Sequence, residues 1–348
     1  MNSLFFIAKN NIKKHKGEVA ILFALIFISA MLLFSSLSLI MSASNTIKEC
    51  DEKYHVADLM AFANGITLDE MKDKVKDIDE IEKAEFVPMI QSSSDYYYND
   101  MNEDDAISYA FYFFDSSRPT YLNAFPEEFN NLKDDEIVLP YYMSYTVNAG
   151  DDFYVKVGDK TYSFKIKGFA ENLYFATSMN LSGLYTLVSH RIFDEMSANL
   201  DPTSTMPAAL FRIKEGADLQ EFDTKVKRAF PRDIEIETVD RATMNYATTG
   251  ITNIAASIVL IFTIMLVIMA VIIMHFSIKN FIELNVQNIG LLQATGYTAK
   301  ELRFACVMEQ MIIGVIATGM AVIAGIFLSK PLSNLSGMMM GLSGFSGI

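Results

Sequence analysis

Few side chains in this sequence have the type and spacing that chemistry needs. The histidines His15, His55, His190 and His275 are scattered, with no His-Glu-x-x-His pair or other zinc spacing. No Gly-x-x-x-x-Gly-Lys-Ser/Thr loop is present to wrap a nucleotide phosphate, and no Gly-x-Ser-x-Gly elbow to expose a nucleophile. Tyr96-Tyr97-Tyr98 followed by Asn99–Asp105 reads as an acidic loop; its spacing lacks the central glycine of a calcium loop, so a solvated loop is expected. Glu309 differs, because it is an ionisable group inside a long apolar run, where the default reading is functional. A proton relay would recruit further buried titratable groups, and only His275 and Gln310 are candidates. Packing or assembly is the competing role, with Gly314, Gly319 and Gly325 letting another helix approach closely. The sequence thus offers no catalytic set, no metal site and no cofactor site.

Glu309 needs an element to hold it, and the chain supplies three that are long enough to cross a bilayer. A spanning helix needs roughly 20 mostly apolar residues. Residues 19–41 carry no charge, residues 251–276 lie in a run free of formal charge between Arg241 and Lys279, and residues 304–328 contain only Glu309. The first run is longer than a signal-peptide core, so it is expected to stay as an anchor. Lys13, Lys14 and Lys16 place the amino terminus, residues 1–18, in the cytoplasm. Three crossings then put 42–250 outside, 277–303 inside and the tail 329–348 outside. Accordingly Tyr97 should be extracellular and Tyr297 cytoplasmic. Cys50 and Cys306 fall near opposite ends of this arrangement and cannot sensibly pair.

Charge divides the same way. The chain carries a formal charge of −14, and residues 43–250 alone hold 20 basic against 38 acidic side chains. No basic face is large enough to neutralise phosphates, so nucleic acid is excluded as a partner.

The exterior segment contains an internal duplication. Gly65–Lys76 (GITLDEMKDKVK) and Gly216–Lys227 (GADLQEFDTKVK) share Gly, Leu, Glu, Lys, Val and Lys at equivalent offsets. Each reads as a helix opened by a capping box, Thr67 with Glu70 and Asp218 with Glu221. Apolar stripes follow: Leu68, Met71, Val75, Ile78 and Leu219, Phe222, Val226, Phe230. Strand-like runs bracket both, at about 56–63 and 85–92, then 208–213 and 234–239. Two βαβ units make a ferredoxin-like α+β domain, split by a mostly β insertion over 106–205. Within the insertion, 107–114, 136–139, 153–157 and 161–169 read as strands, the last two joined by a Gly158-Asp159-Lys160 hairpin. The fold class is therefore an α-helical transmembrane bundle, three spans visible, carrying a large extracellular domain.

The inner segment 277–303 reads as a short helix, a turn at Gly296-Tyr297, and Thr298 with Glu301 capping the next helix. Within it, Asn288-Ile289-Gly290-Leu291-Leu292-Gln293-Ala294-Thr295-Gly296 resembles the signature of FtsX-like, MacB-type ABC transporter permeases. Ala8–Lys13, Glu136–Pro140, Gly150-Asp151, Gly168-Phe169 and Glu309 with its following glycines resemble other parts of that family in order. The resemblance implies a non-enzymatic permease subunit whose inner segment couples to a separate ATPase, where ATP binds. It also implies membrane lipid and a second permease half or copy as partners. Systems of this kind export peptides, antibiotics or lipids, or transmit force to partners outside the cell membrane. Two departures stand out: the family's Glu is Asn288 and its Arg is Gln293, which leaves apolar contact through Ile289, Leu291 and Leu292. In addition, the family's unit has four spans where three are visible here. The competing reading is a membrane-anchored sensor or adaptor that binds a ligand without transport.

Overall fold

The computed structural model describes residues 16–176, 183–201, 204–284, 286–294 and 298–342. In chain order its main elements are helix α1 (Lys16–Tyr54), β1 (Leu59–Ala63), α2 (Leu68–Val75), β2 (Ile81–Tyr98), β3 (Ile107–Asp115), β4 (Glu136–Pro140), β5 (Asp152–Val157), β6 (Lys160–Ala170), β7 (Leu184–Val188), α3 (His190–Asn199), β8 (Thr205–Ile213), α4 (Leu219–Ala229), β9 (Ile236–Asp240), α5 (Arg241–Leu284), α6 (Val286–Ala294) and α7 (Ala299–Met340). They divide into two compact units. Among the described residues, 16–42 and 253–333 form a helical unit, and 43–252 with 334–342 form a sheet unit.

In the sheet unit four strands lie in the order β9-β1-β8-β2, every neighbouring pair antiparallel. Strand β1 is buried on both faces. Leu59, Ala61 and Ala63 meet α2 and α4 through Met71, Val75, Phe222 and Val226, while Met60 and Phe62 enter a second cluster on the opposite face. The duplicated helices therefore cover one side of one sheet. Their entry turns match as well: Gly65 and Gly216 both have positive φ, at 77° and 84°, which only glycine adopts without strain. The caps do not match. Thr67 and Glu70 form the full reciprocal box, whereas Asp218 accepts from the Glu221 N–H at 2.8 Å and the Glu221 carboxylate turns to Lys225 at 2.9 Å.

The β insertion closes on itself. Strand β2 is 18 residues long, and only its first half belongs to the four-stranded sheet. Its second half pairs with β3 on one edge and β5 on the other, and the ring continues through β7, β4 and β6. Phe111, Phe113, Phe153, Phe164 and Leu139 fill the interior, and α3 closes over it with Ile192, Phe193 and Met196. Tyr96-Tyr97-Tyr98 accordingly ends a strand rather than opening a loop, because cross-strand partners in β5 carry the aromatic run.

Helix boundaries depart from the expected spans. Helix α1 has 39 residues, about 58 Å of rise, against about 30 Å of hydrocarbon. Past the apolar run it continues because Ala43, Ile47, Cys50 and Tyr54 recur at helical spacing and pack into the sheet unit's core. Helix α7 likewise continues through Pro331 to Met340, so 329–340 is helix and not tail. Met340 and Leu342 join that same core, which rewards continuation despite the backbone bond that a proline cannot make. The first fifteen residues and 343–348 lie outside the described residues, with the expectations placed on them.

Candidate functional site: coupling helix, packing stripes and charged joint

The segment singled out for coupling is helical. Asn288 to Ala294 lie in α6, with Ile289 half-buried and Gly290 and Ala294 exposed. A Cβ on Gly290 would meet nothing within 4 Å, so that side of the helix is bare. The side chains of Asn288, Leu291, Leu292 and Gln293 lie outside the described set, as do Gly296 and Tyr297 altogether. Helix α7 starts at Ala299, directly after Thr298.

Glu309 is 8% exposed and opens a stripe along α7. Ile313, Ala317, Ala321, Gly325, Ser329 and Ser333 follow at four-residue intervals, all buried. Such a row is the ridge that helices interdigitate, and small members let backbones approach. At Gly325 a Cβ would lie 2.6 Å from Phe34 of α1, so only hydrogen fits. Gly314 and Gly319 fall off the stripe, with nothing within 4 Å of a Cβ. Helix α1 answers with Leu22, Ser29 and Ser36 at seven-residue spacing, and the Ser42 and Ser333 hydroxyls meet at 3.4 Å. On α5 the buried positions of the helical unit include Ala256, Thr263 and Ala270. Ser29 and Thr263 donate to carbonyls four residues back, at 2.7 and 2.8 Å, so these hydroxyls cost little in an apolar setting.

A second constellation sits in the sheet unit, where α1 hands over to β1 and β9 to α5. Asp58, with a side chain 9% exposed, accepts from the Ile213 N–H at 3.0 Å and pairs with Arg241 Nη2 at 3.0 Å and Arg212 Nε at 3.6 Å. Arg241 reaches on to Asp51 Oδ2 at 2.9 Å. Arg241 is the first residue of α5, and Asp51 stands in the last turn of α1. Each is on the wrong end of its helix dipole, and each is neutralised by the other. Backbone bonds lock the same place: the Arg241 N–H donates to Asp58 O at 2.9 Å, and the Asp58 N–H to Phe211 O at 2.7 Å. Around it the Tyr54 hydroxyl donates to Glu171 at 2.6 Å, and the Tyr174 hydroxyl to Ala57 O at 3.0 Å. Burial and the nearby Asp58 charge hold the Tyr174 phenol well above its ordinary range, so it stays a neutral donor.

Sequence reasoning passed over this joint. Its available signal was Arg241 itself, the last charge before a 37-residue neutral run, which marks where a helix leaves water. Among the described residues no cluster of three or more His, Cys, Asp or Glu could hold a metal ion.

Residues 259–346 match the FtsX-like permease C-terminal family. No curated protein matches the chain. Among solved structures, the periplasmic region of MacB from Actinobacillus actinomycetemcomitans aligns at 11% identity and TM-score 0.30, over 56% of this chain and 93% of that one. A permease-protein domain from Porphyromonas gingivalis aligns at 9% identity and TM-score 0.28, over 52% of this chain and 86% of that one. Both scores are below the level at which a shared fold follows.

Proposed function

We propose that this chain is the membrane subunit of an ABC transporter, a permease that moves in response to ATP hydrolysed on a separate ATPase. The observation that carries the reading is the FtsX-like match over 259–346, which takes in most of α5, the whole of α6 and α7, and the segment between them. That match falls on a chain with three helices long and apolar enough to span, among the described residues. In this reading α6 and the residues up to Tyr297 form the ATPase contact on the cytoplasmic side. Gly290 keeps the contact face bare, and Ile289, Leu291 and Leu292 supply its apolar surface. The sheet unit faces outward, its β9-β1-β8-β2 order under α2 and α4 being that of a ferredoxin-like layer. Half-buried Gly314 and exposed Gly319, each with open space beside it, are where a second permease half or copy would approach.

The chemistry is mechanical. Movement of α6 shifts α5 and α7, and the Asp51–Arg241–Asp58–Arg212 joint ties the outer ends of α1 and α5 to the strand ends at the start of β1 and the close of β8. Salt-bridged hydrogen bonds hold their direction better than apolar contact, so displacement of a helix end reaches β1 and β8 rather than dissipating. Peptide, antibiotic or lipid export and force transmission to an exterior partner all fit this arrangement.

Leu291→Asp places a carboxylate in a dry contact. It is expected to abolish co-purification of the ATPase while membrane insertion stays intact. Gly296→Val should lower substrate-stimulated ATP hydrolysis more than ATPase binding. Normal levels of both in the Leu291 variant would overturn the mechanism and move the sensor reading ahead. Orientation is checked separately by labelling single cysteines at 97 and 297 in intact cells, with Cys50 and Cys306 replaced. Label reaching residue 297 from outside would reverse the topology.

A further inference from the structure

Half of the chain's 16 tyrosines lie at four places that the topology gathers at one end of the closed β ring: 96–98, 109, 141–145 and 154. The register places them together. Tyr96 lies opposite Ile107, Tyr98 opposite Phe153, Asp152 opposite Lys165, and Pro140 beside Ala170, so β2 ends where β3 and β5 begin and where β4 and β6 end. Tyr96, Tyr98, Tyr109 and Tyr142 point inward and pack on the ring's core, closing this mouth. Tyr97 and Tyr154 face the other way and stack on each other, with ring centroids 4.7 Å apart. All but Tyr96 of these six remain partly exposed, and Ile107 at the lip is 40% exposed.

The β2–β3 side of the rim has one sign of charge, and across the ring Lys165 is already paired with Asp152 at 2.7 Å. The β2–β3 connection runs Asn99–Ala106 without a lysine or arginine, and Asp100, Glu103, Asp104 and Asp105 are all exposed. None of these four carboxylates has an ion-pair partner among the described residues. Elsewhere on the unit carboxylates are commonly paired, as Glu136 is with Lys167 and Glu80 with Lys225. Glu103 acts on the rings directly: burial and its charge together hold the Tyr97 phenol above its ordinary range. Aromatic faces beside free carboxylates attract ammonium and guanidinium groups twice over, through the ring quadrupole and through charge.

We infer that this tyrosine-lined mouth is a docking surface for a basic, amphipathic polypeptide segment, whose cationic side chains meet Tyr97, Tyr154 and the 100–105 carboxylates while its apolar side chains cover Ile107 and the inward tyrosines. Charge complementarity selects the occupant. A fatty acyl chain would leave the carboxylates unanswered, and a polyamine would leave Ile107 and the inward tyrosines uncovered. The assignment rests on the sheet unit alone and stands or falls apart from the permease reading.

The chain contains no tryptophan, so an added peptide bearing one Trp is the only indole emitter besides the nanodisc scaffold protein, whose signal the empty nanodiscs supply. The test uses the full chain in phosphatidylcholine nanodiscs and a 12-residue alternating Lys/Leu peptide with a single Trp, read by emission shift against empty nanodiscs. Saturable binding that weakens with salt is expected. Tyr97→Ser with Tyr154→Ser should weaken it about tenfold, and so should Glu103→Gln with Asp104→Asn and Asp105→Asn, the latter also flattening the salt dependence. These positions are exposed or half-exposed, and an unchanged thermal transition confirms that the variants fold. A Glu/Leu peptide should not bind, and spermine should not compete at equal charge. Binding no greater than to empty nanodiscs would overturn the inference. So would loss with the carboxylate variant but not the tyrosine variant, since that is attraction to an acidic surface only, or equal competition by spermine.

Discussion

Strand β1 and helix α5 are both apolar over most of their length, yet they dispose of that character in opposite ways. Every residue of β1 is buried, large side chains alternating between two cores. Helix α5 contains the most apolar window among the candidate spans, and only 11% of that window is buried. In the sheet unit, burial follows side-chain size. In the helical unit it follows smallness: Ala317, Ala321 and Gly325 are inside, while Ile264, Phe262 and Phe327 point out. Water drives the first pattern, because each large apolar side chain withdrawn from it contributes roughly 1.5–3 kcal/mol. Lipid removes that drive, leaving close packing and hydroxyl contacts to choose the interface.

The most direct way to break this contrast is one substitution made twice. Phe222 is fully buried between α4 and the sheet, and Phe211 meets it edge-on at 5.5 Å. Phe222→Ala should cost about 3–5 kcal/mol. Phe262 is 60% exposed on α5, and Phe262→Ala in lipid nanodiscs should change stability by less than about 0.5 kcal/mol. Urea unfolding of the full chain, followed by proteolytic accessibility of the sheet unit, reads both. Similar losses at the two sites would mean that α5 is covered by protein and not lipid.

A smaller effect is expected at the joint. Arg241→Ala leaves Asp58 with a carboxylate 9% exposed and its closest cation gone. Because Arg212 stays within 3.6 Å and Arg241 is itself a third exposed, a loss of about 2–3 kcal/mol is expected. Adding Asp58→Asn should restore part of it by removing the stranded charge. No recovery in the double variant would show that packing of the arginine stem, and not charge, holds the joint.

Next comes Gly325. Any side chain there collides with Phe34, and Gly325→Val should cost about 1–3 kcal/mol. Gly319→Val meets open space and should leave the isolated chain unchanged. If it nevertheless lowered the yield of a complex with a second copy or partner, the exposed glycine would be an interface with another helix.

How much of this was legible beforehand follows the same divide. The duplicated helices could be read because an amphipathic stripe is visible against polar neighbours: Met71, Val75, Phe222 and Val226 are the buried positions of α2 and α4. Existence of the three apolar helices was equally plain. Their ends were not, since Ala43, Ile47, Cys50 and Tyr54 continue α1 on a stripe that looks like ordinary exterior sequence. Three glycines of α7 drew attention as a set, although the stripe takes only Gly325 and completes itself with alanines and serines. In an apolar background the informative letters are the small ones at fourfold spacing, and they must be read together. The joint stayed hidden for another reason. Asp51 and Asp58 lie far from Arg212 and Arg241 in sequence, and nothing local requires the acids to meet the arginines.

The smallest expected effect separates the two halves of the duplication. Thr67 and Asp218 occupy equivalent cap positions, and replacing either by Ala should cost about 1 kcal/mol. The partners at N3 differ, because Glu70 reaches back to the Thr67 N–H at 2.8 Å whereas Glu221 pairs with Lys225. That N–H, followed by the Thr67 hydroxyl, holds the Glu70 carboxyl below its ordinary value of 4.5. A carboxylate lowered in the folded state binds protons less readily there than in the unfolded chain. Its contribution is therefore complete above the unfolded value and fades as pH falls through the folded one. Between pH 6 and pH 3 the wild-type chain should thus lose part of α2's local stability, read as faster amide exchange over residues 68–75. Glu70→Gln retains an acceptor that cannot titrate, so it should lower protection at pH 6 and flatten the dependence on acid. An acid response over 68–75 unchanged in Glu70→Gln would separate the sensitivity from the cap, and the asymmetry of the two caps would then have no energetic consequence.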